Sequence, residues 1–451
     1  MNKKIWIVIL LAILVIIFKL IKVKSKIYDY IEKDTYIVKE KILDSIDETS
    51  EANNNEIIIR KDNKFGVSNI KGDIILNLAY DYILRINTNL YFIQNGQNKS
   101  LYHTKLKKVV VLDEMDIIKD DLYRIIYKNK YRLVDNNLEE IFNEENNFID
   151  GNDKNILIFN EKSISLYNEN KEIRELKNQY EKIKLGIGKN LYAKKNNLWG
   201  IIDNNETILI DFKYDSFMEL NDKDILIGYI GDESYLINLQ SSSPLEIKLD
   251  YDNYGMESYD KIMVLKDGKI GYINTLGKQI IEPKYDGGFA FKKDKNFIQV
   301  KNVNKWEILD LNGNKIKELD VNDLGEYVEG YMLAEKNGKY GYINEKGEIK
   351  IPLEYDYAEV FKNNLAIVAN DYGYGIINKE NKLIFPLKYD KVEIFKDYIY
   401  VIKDEKYGVF SNTGKEIIPI EFDHLNKITD KIIFFKQNKK SGLIELIREE
   451  I

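Results

Sequence analysis

Apolar and polar residues alternate in short runs along most of this chain. The clearest stretch is Tyr340 to Asp356, YGYINEKGEIKIPLEYD, and versions of it recur from about residue 57 to the C-terminus. Runs such as LAIVAN, YGIIN and KLIFPL have the length and the content of strands. Between the second and third of these runs sit Asn-x-x-Gly turns, Asn274 to Gly277 and Asn344 to Gly347, with Asn412 to Gly414 a shorter variant. A polar first residue and a Gly fourth predict a type I turn closing a hairpin with a bulge.

The recurrence holds its phase. Aromatic-Gly pairs place anchors at Gly66, Gly200, Gly271, Gly341, Gly375, Gly408 and Gly442. Weaker copies put Ser100, Arg132, Ser165, Tyr235 and Glu307 in the same place, and successive anchors are then 32 to 36 residues apart. Fifteen residues after the clearer anchors comes an aromatic-Asp pair, at Asp81, Asp215, Asp286, Asp356, Asp390 and Asp423. Pro283, Pro352, Pro386 and Pro419 fall two or three residues before that aromatic. A Gly inside a strand marks close backbone approach, and a Pro there is tolerated only where no ladder hydrogen bond is lost. The Asp is read as a corner residue that accepts from backbone N–H groups two residues on.

Each unit therefore reads as three or four short antiparallel strands in a meander. No such unit buries its own faces, so it must stack on its neighbours. The fold class expected is all-β: about twelve short antiparallel β-meander repeats, arranged like propeller blades or as an open β-solenoid. Residues 57–257 hold the degenerate copies and residues 258–451 the well-formed ones, which is compatible with two subdomains meeting near residue 255.

The N-terminus breaks the pattern. Every residue from Ile5 to Phe18 is apolar, and Leu20 and Ile21 follow Lys19. Residues 1–26 read as a transmembrane anchor with basic flanks, spanning with residues 5–21. A cleaved signal peptide fits less well, because no small-residue cleavage site is present. Lysines lie on both sides of the span, so the positive-inside rule does not fix its direction. The short basic start resembles an export signal, which places the repeats outside the cytoplasm. Residues 27–56 are polar, with Ile27, Ile31, Val38, Ile42 and Ile46 at near-helical intervals, and read as a stalk with a helical stretch.

Composition narrows the chemistry. The net charge is -7, with basic and acidic residues interspersed. The basic stripe that marks nucleic-acid binders is missing, so no nucleic-acid partner is expected. With no Cys, disulfides, thiolate metal sites and cysteine nucleophiles are excluded. His103 and His424 are far apart in the repeat order and read as ordinary turn or surface residues. Gly186-Ile187-Gly188-Lys189 lacks the later Gly and the helix of a phosphate loop. One corner Asp per unit does not gather the six to eight oxygens that calcium takes. No catalytic, cofactor-binding or metal residues are assigned, no cofactor is expected, and the protein is not expected to be an enzyme. Most tyrosines sit at fixed repeat positions and read as packing. Tyr251, Tyr254 and Tyr259 depart from the repeat and are the candidates for an exposed binding surface.

At the segments KYGYINEKGEIKIPLEYD, YGIINKENKLIFPLKYD, YGVFSNTGKEIIPIEFD and LWGIIDNNETILIDFKYD the chain resembles the bacterial WG-repeat family, also called KWG repeats. The resemblance covers about residues 57–451. Trp199 supplies the one full Trp-Gly pair, and Trp306 keeps the aromatic but is followed by Glu307. The resemblance implies a β-structured binding or scaffold protein and supplies no catalytic residues. The expected function is thus a membrane-tethered, non-enzymatic repeat protein that binds another protein or an envelope polymer. A hydrolase whose site is assembled from loops, and a purely structural self-associating protein, are the alternatives.

Overall fold

The computed structural model describes residues 36–448, apart from 43–45, 53–55, 70, 120, 142–147, 153, 162, 221–223, 241–242 and 293–294. The expected span at residues 5–21 lies outside the described residues. Among those described, no helix is long and apolar enough to cross a membrane, and every regular element is a strand.

Among the described residues the strands form twelve small antiparallel sheets, eleven of four strands and one of three. This matches the all-β expectation and its count of units. Each sheet is named here by its first residue. Two units divide the chain: one holds Tyr82–Glu354, the other the residues up to Asp81 and those from Tyr355 on. In the first unit the sheets start at Tyr82, Glu114, Phe148, Lys182, Ser216, Asn253, Gly287 and Asp323. In the second they start at Glu48, Tyr357, Lys391 and His424. Strands follow one another in sequence order within each sheet, with one exception. The His424 sheet takes its fourth strand from Tyr36–Ile42, which pairs antiparallel with Lys440–Arg448 in the register Tyr36 to Arg448 and Ile42 to Gly442.

That strand corrects the helical reading where residues 27–56 are described. Tyr36–Ile42 and Glu48–Ala52 are both extended, and the second opens a sheet. Near-helical spacing of a few isoleucines is a weak local preference. A complete ladder along an otherwise open strand edge outweighs it, and a Tyr-Ile-Val run suits that strand.

All twelve anchors occupy one place in the third strand. Gly66 lies opposite Ile59, Gly271 opposite Val264, Glu307 opposite Val300 and Gly408 opposite Val401. The bulky anchor Tyr235 faces Gly228, so the missing side chain has moved to the neighbouring strand. A Cβ at Gly341 would stand 2.6 Å from the Ile351 carbonyl oxygen and 2.4 Å from that of Pro352. The fourth strand bulges over this position: Ile376 pairs with Phe385 but Tyr374 with Tyr389, leaving Pro386 in the unpaired stretch. Pro283 and Pro419 occupy the same bulge. The proline thus sits where its missing N–H costs no ladder bond.

Second and third strands join through two-residue turns with both φ positive, as at Asp62-Asn63 and Asp404-Glu405, the geometry of a type I′ hairpin. The Asn-x-x-Gly turns join the third and fourth strands as expected. Gly277 N–H bonds the Asn274 carbonyl at 2.9 Å, and Asn274 Oδ1 accepts from Leu276 and Lys278.

Within each unit, consecutive sheets stack through apolar faces in the manner of propeller blades. Leu90 and Leu101 of the Tyr82 sheet pack with Tyr123 and Ile125 of the next. Ile376 and Phe385 pack with Ile399 and Val401, and Val409 and Phe422 with Leu425, Ile433 and Phe435. Ile57 and Ile59 of the Glu48 sheet pack with Ile432 and Phe434. Most second strands are sandwiched on both faces, which explains unbroken runs such as LAIVAN, buried from Leu365 to Ala369. Burying each such side chain stabilises by about 1.5–3 kcal/mol before the entropy cost of ordering it.

Candidate functional site

The corner acids turn out to be structural, but not through the contact expected. The contacts of Asp286 and Asp423 reach further than two residues on. Asp286 takes Lys269 Nζ on one oxygen and the Val303 N–H on the other. Asp423 takes Lys406 and the Asn438 N–H in the same way. Asp286 and Asp423 therefore each join the third strand of their own sheet to the hairpin turn of the next, and Asp215 and Asp390 accept the turn N–H of Gly231 and Asp404. Among the described residues, no three His, Cys, Asp or Glu side chains gather as a metal site would need.

The other sequence candidates resolve into packing. His103 is buried, and its Nδ1 accepts the Leu106 N–H at 3.1 Å. His424 opens a strand and sets its ring edge-on to Tyr407. Gly186 to Lys189 form a strand-connecting loop, with Gly186 N–H bonded to the Asn190 carbonyl. Of the three irregular tyrosines only Tyr259 is exposed. Tyr254 is buried with its hydroxyl against Ser234, and Tyr251 packs edge-on to its ring. The expectation of a surface at Tyr251 and Tyr254 is thus corrected: the extra loop residues fold back onto the core between the Ser216 and Asn253 sheets.

A concavity of about 370 Å³ opens between the Lys391 and His424 sheets, a size suited to a small ligand. Strand alternation builds it. Lys391, Glu393 and Phe395 project to one side of KVEIF, and cross-strand pairing sets Glu393 opposite Tyr400 and Lys391 opposite Ile402. Tyr407 adds a third ring, and Leu425, Asn426 and Lys427 close the far side. Phe395 and Tyr400 meet edge-to-face with centroids 5.0 Å apart.

Its charges are paired locally. Lys391 meets Glu393 at 2.5 Å, and Lys427 meets Asp430 at 2.6 Å while lying 4.8 Å from the centre of the Phe395 ring. The bond to Glu393 raises Lys391 above the usual ammonium value, and Lys427 holds Asp430 below the usual carboxylate range. The polar exception is Tyr400. It is 6% exposed, and its hydroxyl is buried with no hydrogen-bond partner. Burial pushes this phenol far above its ordinary value, and Tyr398 and Glu393 add to the effect. An unsatisfied buried hydroxyl costs about 1–3 kcal/mol.

Two further concavities differ in kind. One, of about 490 Å³, is walled mainly by Tyr82, Leu84, Ile86, Phe92, Met115 and Ile117. The other, of about 710 Å³, lies between the Gly287 and Asp323 sheets. Neither wall carries a buried polar atom without a partner.

The sequence did hold a signal for the Tyr400 pocket. Tyr400 precedes the partner of anchor Gly408 just as Tyr192 precedes the partner of anchor Gly200. Most units have an aliphatic residue or Phe at that position, whereas these two have Tyr. Tyr192 is satisfied: its hydroxyl donates to Glu219 at 2.7 Å and accepts the Ile187 N–H at 3.2 Å. Glu219 is the fourth residue after corner Asp215, and the fourth after corner Asp423 is Lys427. One copy has an acceptor where the other has a cation.

A family profile described as WG containing repeat matches residues 199–224, 270–306, 340–373, 374–407 and 407–440. Each match begins at the residue before an anchor glycine. No curated protein matches the chain. Among solved structures, the chain is similar to the extracellular domain of BT4673, a one-component system of B. thetaiotaomicron, at 11% identity and TM-score 0.23, over 88% of this chain and 75% of that one. It is similar to PorZ, a bacterial surface component of the type-IX secretion system of Porphyromonas gingivalis, at 9% identity and TM-score 0.24, over 89% and 79%. A eukaryotic initiation factor aligns at 11% identity and TM-score 0.31, over 64% and 94%.

Proposed function

This is a WG-repeat protein, and from that premise we propose that it is a non-enzymatic binding scaffold, tethered to the membrane by residues 5–21. Its repeats stand outside the cytoplasm and hold an envelope polymer. The observation that carries the reading is the aromatic pocket of Phe395, Tyr400 and Tyr407 with a buried hydroxyl left unpartnered. Such a group is costly in the empty protein and is relieved when a ligand completes its hydrogen bond. Around it the repeats supply a rigid frame, with the corner acids and anchor glycines committed to structure. The apolar N-terminal run supplies the tether.

The test is sedimentation of the full chain, in detergent, with purified cell-envelope polymer. The wild type should pellet with the polymer, and Phe395→Ala with Tyr407→Ala should remain in the supernatant while keeping the strand-rich circular dichroism spectrum. Failure of the folded wild type to pellet would overturn the reading. Protease access in intact cells tests the topology: cleavage within the repeats without lysis is expected.

A further inference from the structure

The two tyrosine-bearing copies of the repeat form an internal control. At Tyr192 the next sheet presents the Glu219 carboxylate to the phenol. At Tyr400 the next sheet presents Lys427 at the equivalent place, and the ammonium turns away to Asp430. A lysine offers three donors and no acceptor. The Tyr400 hydroxyl is thus left with a proton to donate and nothing to take it, in a pocket lined by a cation whose ion pair is with an exposed acid.

We propose that a ligand carboxylate fills the place that Glu219 fills in the sister copy, accepting from the Tyr400 hydroxyl and from Lys427 Nζ together. This rests on the binding role proposed above and names its ligand class: a uronic acid, either as a single sugar or within an acidic glycan. The body of the ligand is set by the walls. Phe395 and Tyr407 present flat apolar surfaces that suit the C–H face of a sugar ring, and about 370 Å³ holds one such ring. Asn426, exposed at the rim, is placed for ring hydroxyls. Lys427 lies over the Phe395 ring and lines the same pocket as Tyr400. Exchange of Asp430 for the ligand carboxylate lets the ammonium and the hydroxyl share one anion. Glu393 does not compete for the phenol, because it is engaged with Lys391. It is the like charge that limits affinity.

The experiment is calorimetric titration of the full chain in detergent with galacturonate, trigalacturonate and neutral galactose. Galacturonate should bind, and galactose at least about tenfold more weakly, the discrimination expected when a buried donor is left unpaired. Tyr400→Phe should weaken galacturonate about tenfold while leaving the melting temperature unchanged or higher, since it removes an unsatisfied group. Lys427→Glu restores the pattern of the sister copy, so it should abolish binding without loss of stability. Glu393→Gln should tighten binding.

Tighter binding of the trimer assigns the site to a glycan, and equal binding assigns it to a single sugar. The proposal is overturned if galactose binds as well as galacturonate. It is also overturned if galacturonate does not bind, or if the Tyr400 and Lys427 variants keep wild-type affinity. The two readings fail separately. Polymer that pellets the chain but is not competed by galacturonate removes only the ligand class. Galacturonate binding without pelleting removes only the polymer.

Discussion

The carboxylate of Asp286 lies 2.5 Å from the ammonium of Lys269, which opens the third strand of the same sheet. Its other oxygen receives the Val303 N–H in the hairpin turn of the following sheet. Lys64 with Asp81, and Lys406 with Asp423, repeat the ion pair. The Lys of Lys-aromatic-Gly and the Asp of aromatic-Asp are therefore two ends of one contact, and the Asp carries that contact on to the next sheet.

The corner acids should make stability depend on pH in a defined direction. The Lys269 bond, then the Val303 N–H, hold Asp286 below the usual carboxylate range, and Lys406 and Asn438 do the same for Asp423. A lowered folded value means that stability is present above the unfolded value and is lost as pH falls through the folded one. In melts across about pH 2 to 5, Asp286→Asn with Asp423→Asn should flatten the acid limb of melting temperature against pH. An unchanged acid slope would show that these pairs contribute nothing.

Asp224 should act in the opposite sense. Burial raises its carboxyl above the usual range, and Asn190 Nδ2 contacts it at 3.2 Å. The folded state binds this proton more tightly than the unfolded chain. Stability therefore declines as pH rises from the unfolded value through the raised folded one. Asp224→Asn removes that decline, so denaturant midpoints of variant and wild type should diverge in the variant's favour towards neutral pH.

Two glycines three residues apart should respond to alanine by different routes. At Gly341 the added Cβ meets fixed backbone, 2.4 Å from the Pro352 carbonyl oxygen. At Gly338 the added Cβ meets open space, but φ is +77°. Gly341→Ala should cost about 3 kcal/mol, by displacing the backbone of the neighbouring fourth strand. Gly338→Ala should cost about 1 kcal/mol, from the left-handed backbone alone. Urea unfolding of both variants checks the order, and equal costs would refute the close-approach account.

The pairing of Tyr36–Ile42 with Lys440–Arg448 is open to a covalent test, helped by a chain with no native cysteine. Val38 and Leu446 are opposite in register. Paired antiparallel residues have Cα atoms about 4.5–5.5 Å apart, within reach of a disulfide. Val38→Cys with Leu446→Cys should oxidise without added strain and raise stability by about 4 kcal/mol, because it closes most of the chain into a loop. Mobility on non-reducing gels and melting with and without reductant measure it. Failure to form the bond would argue against the register.

Local marks were legible where one residue's own chemistry decides the outcome. Gly375 and Pro386 announce a close approach and a missing donor, and both sit at the bulge. Asn274 and Gly277 announce their turn. Contacts that skip to another sheet were not legible. Asp286 was read as bonding two residues on, and it bonds Lys269 and Val303 instead. The stretch around Val38 looked helical in isolation because its partner strand lies at the other end of the chain. Tyr400 could be told from an ordinary core tyrosine only once Glu219 was seen bonding Tyr192 and Lys427 was seen in the equivalent place.

The sequence by itself determined the repeat: its phase, its strands, its turns and the number of sheets. Each of these follows from side-chain periodicity and backbone preference within about 34 residues. Tertiary structure decided which strand completes the His424 sheet and where each corner acid reaches. It also decided which tyrosine hydroxyl is left without a partner. Those outcomes depend on what the neighbouring sheet presents, and a neighbour's side chain is set by stacking rather than by proximity along the chain.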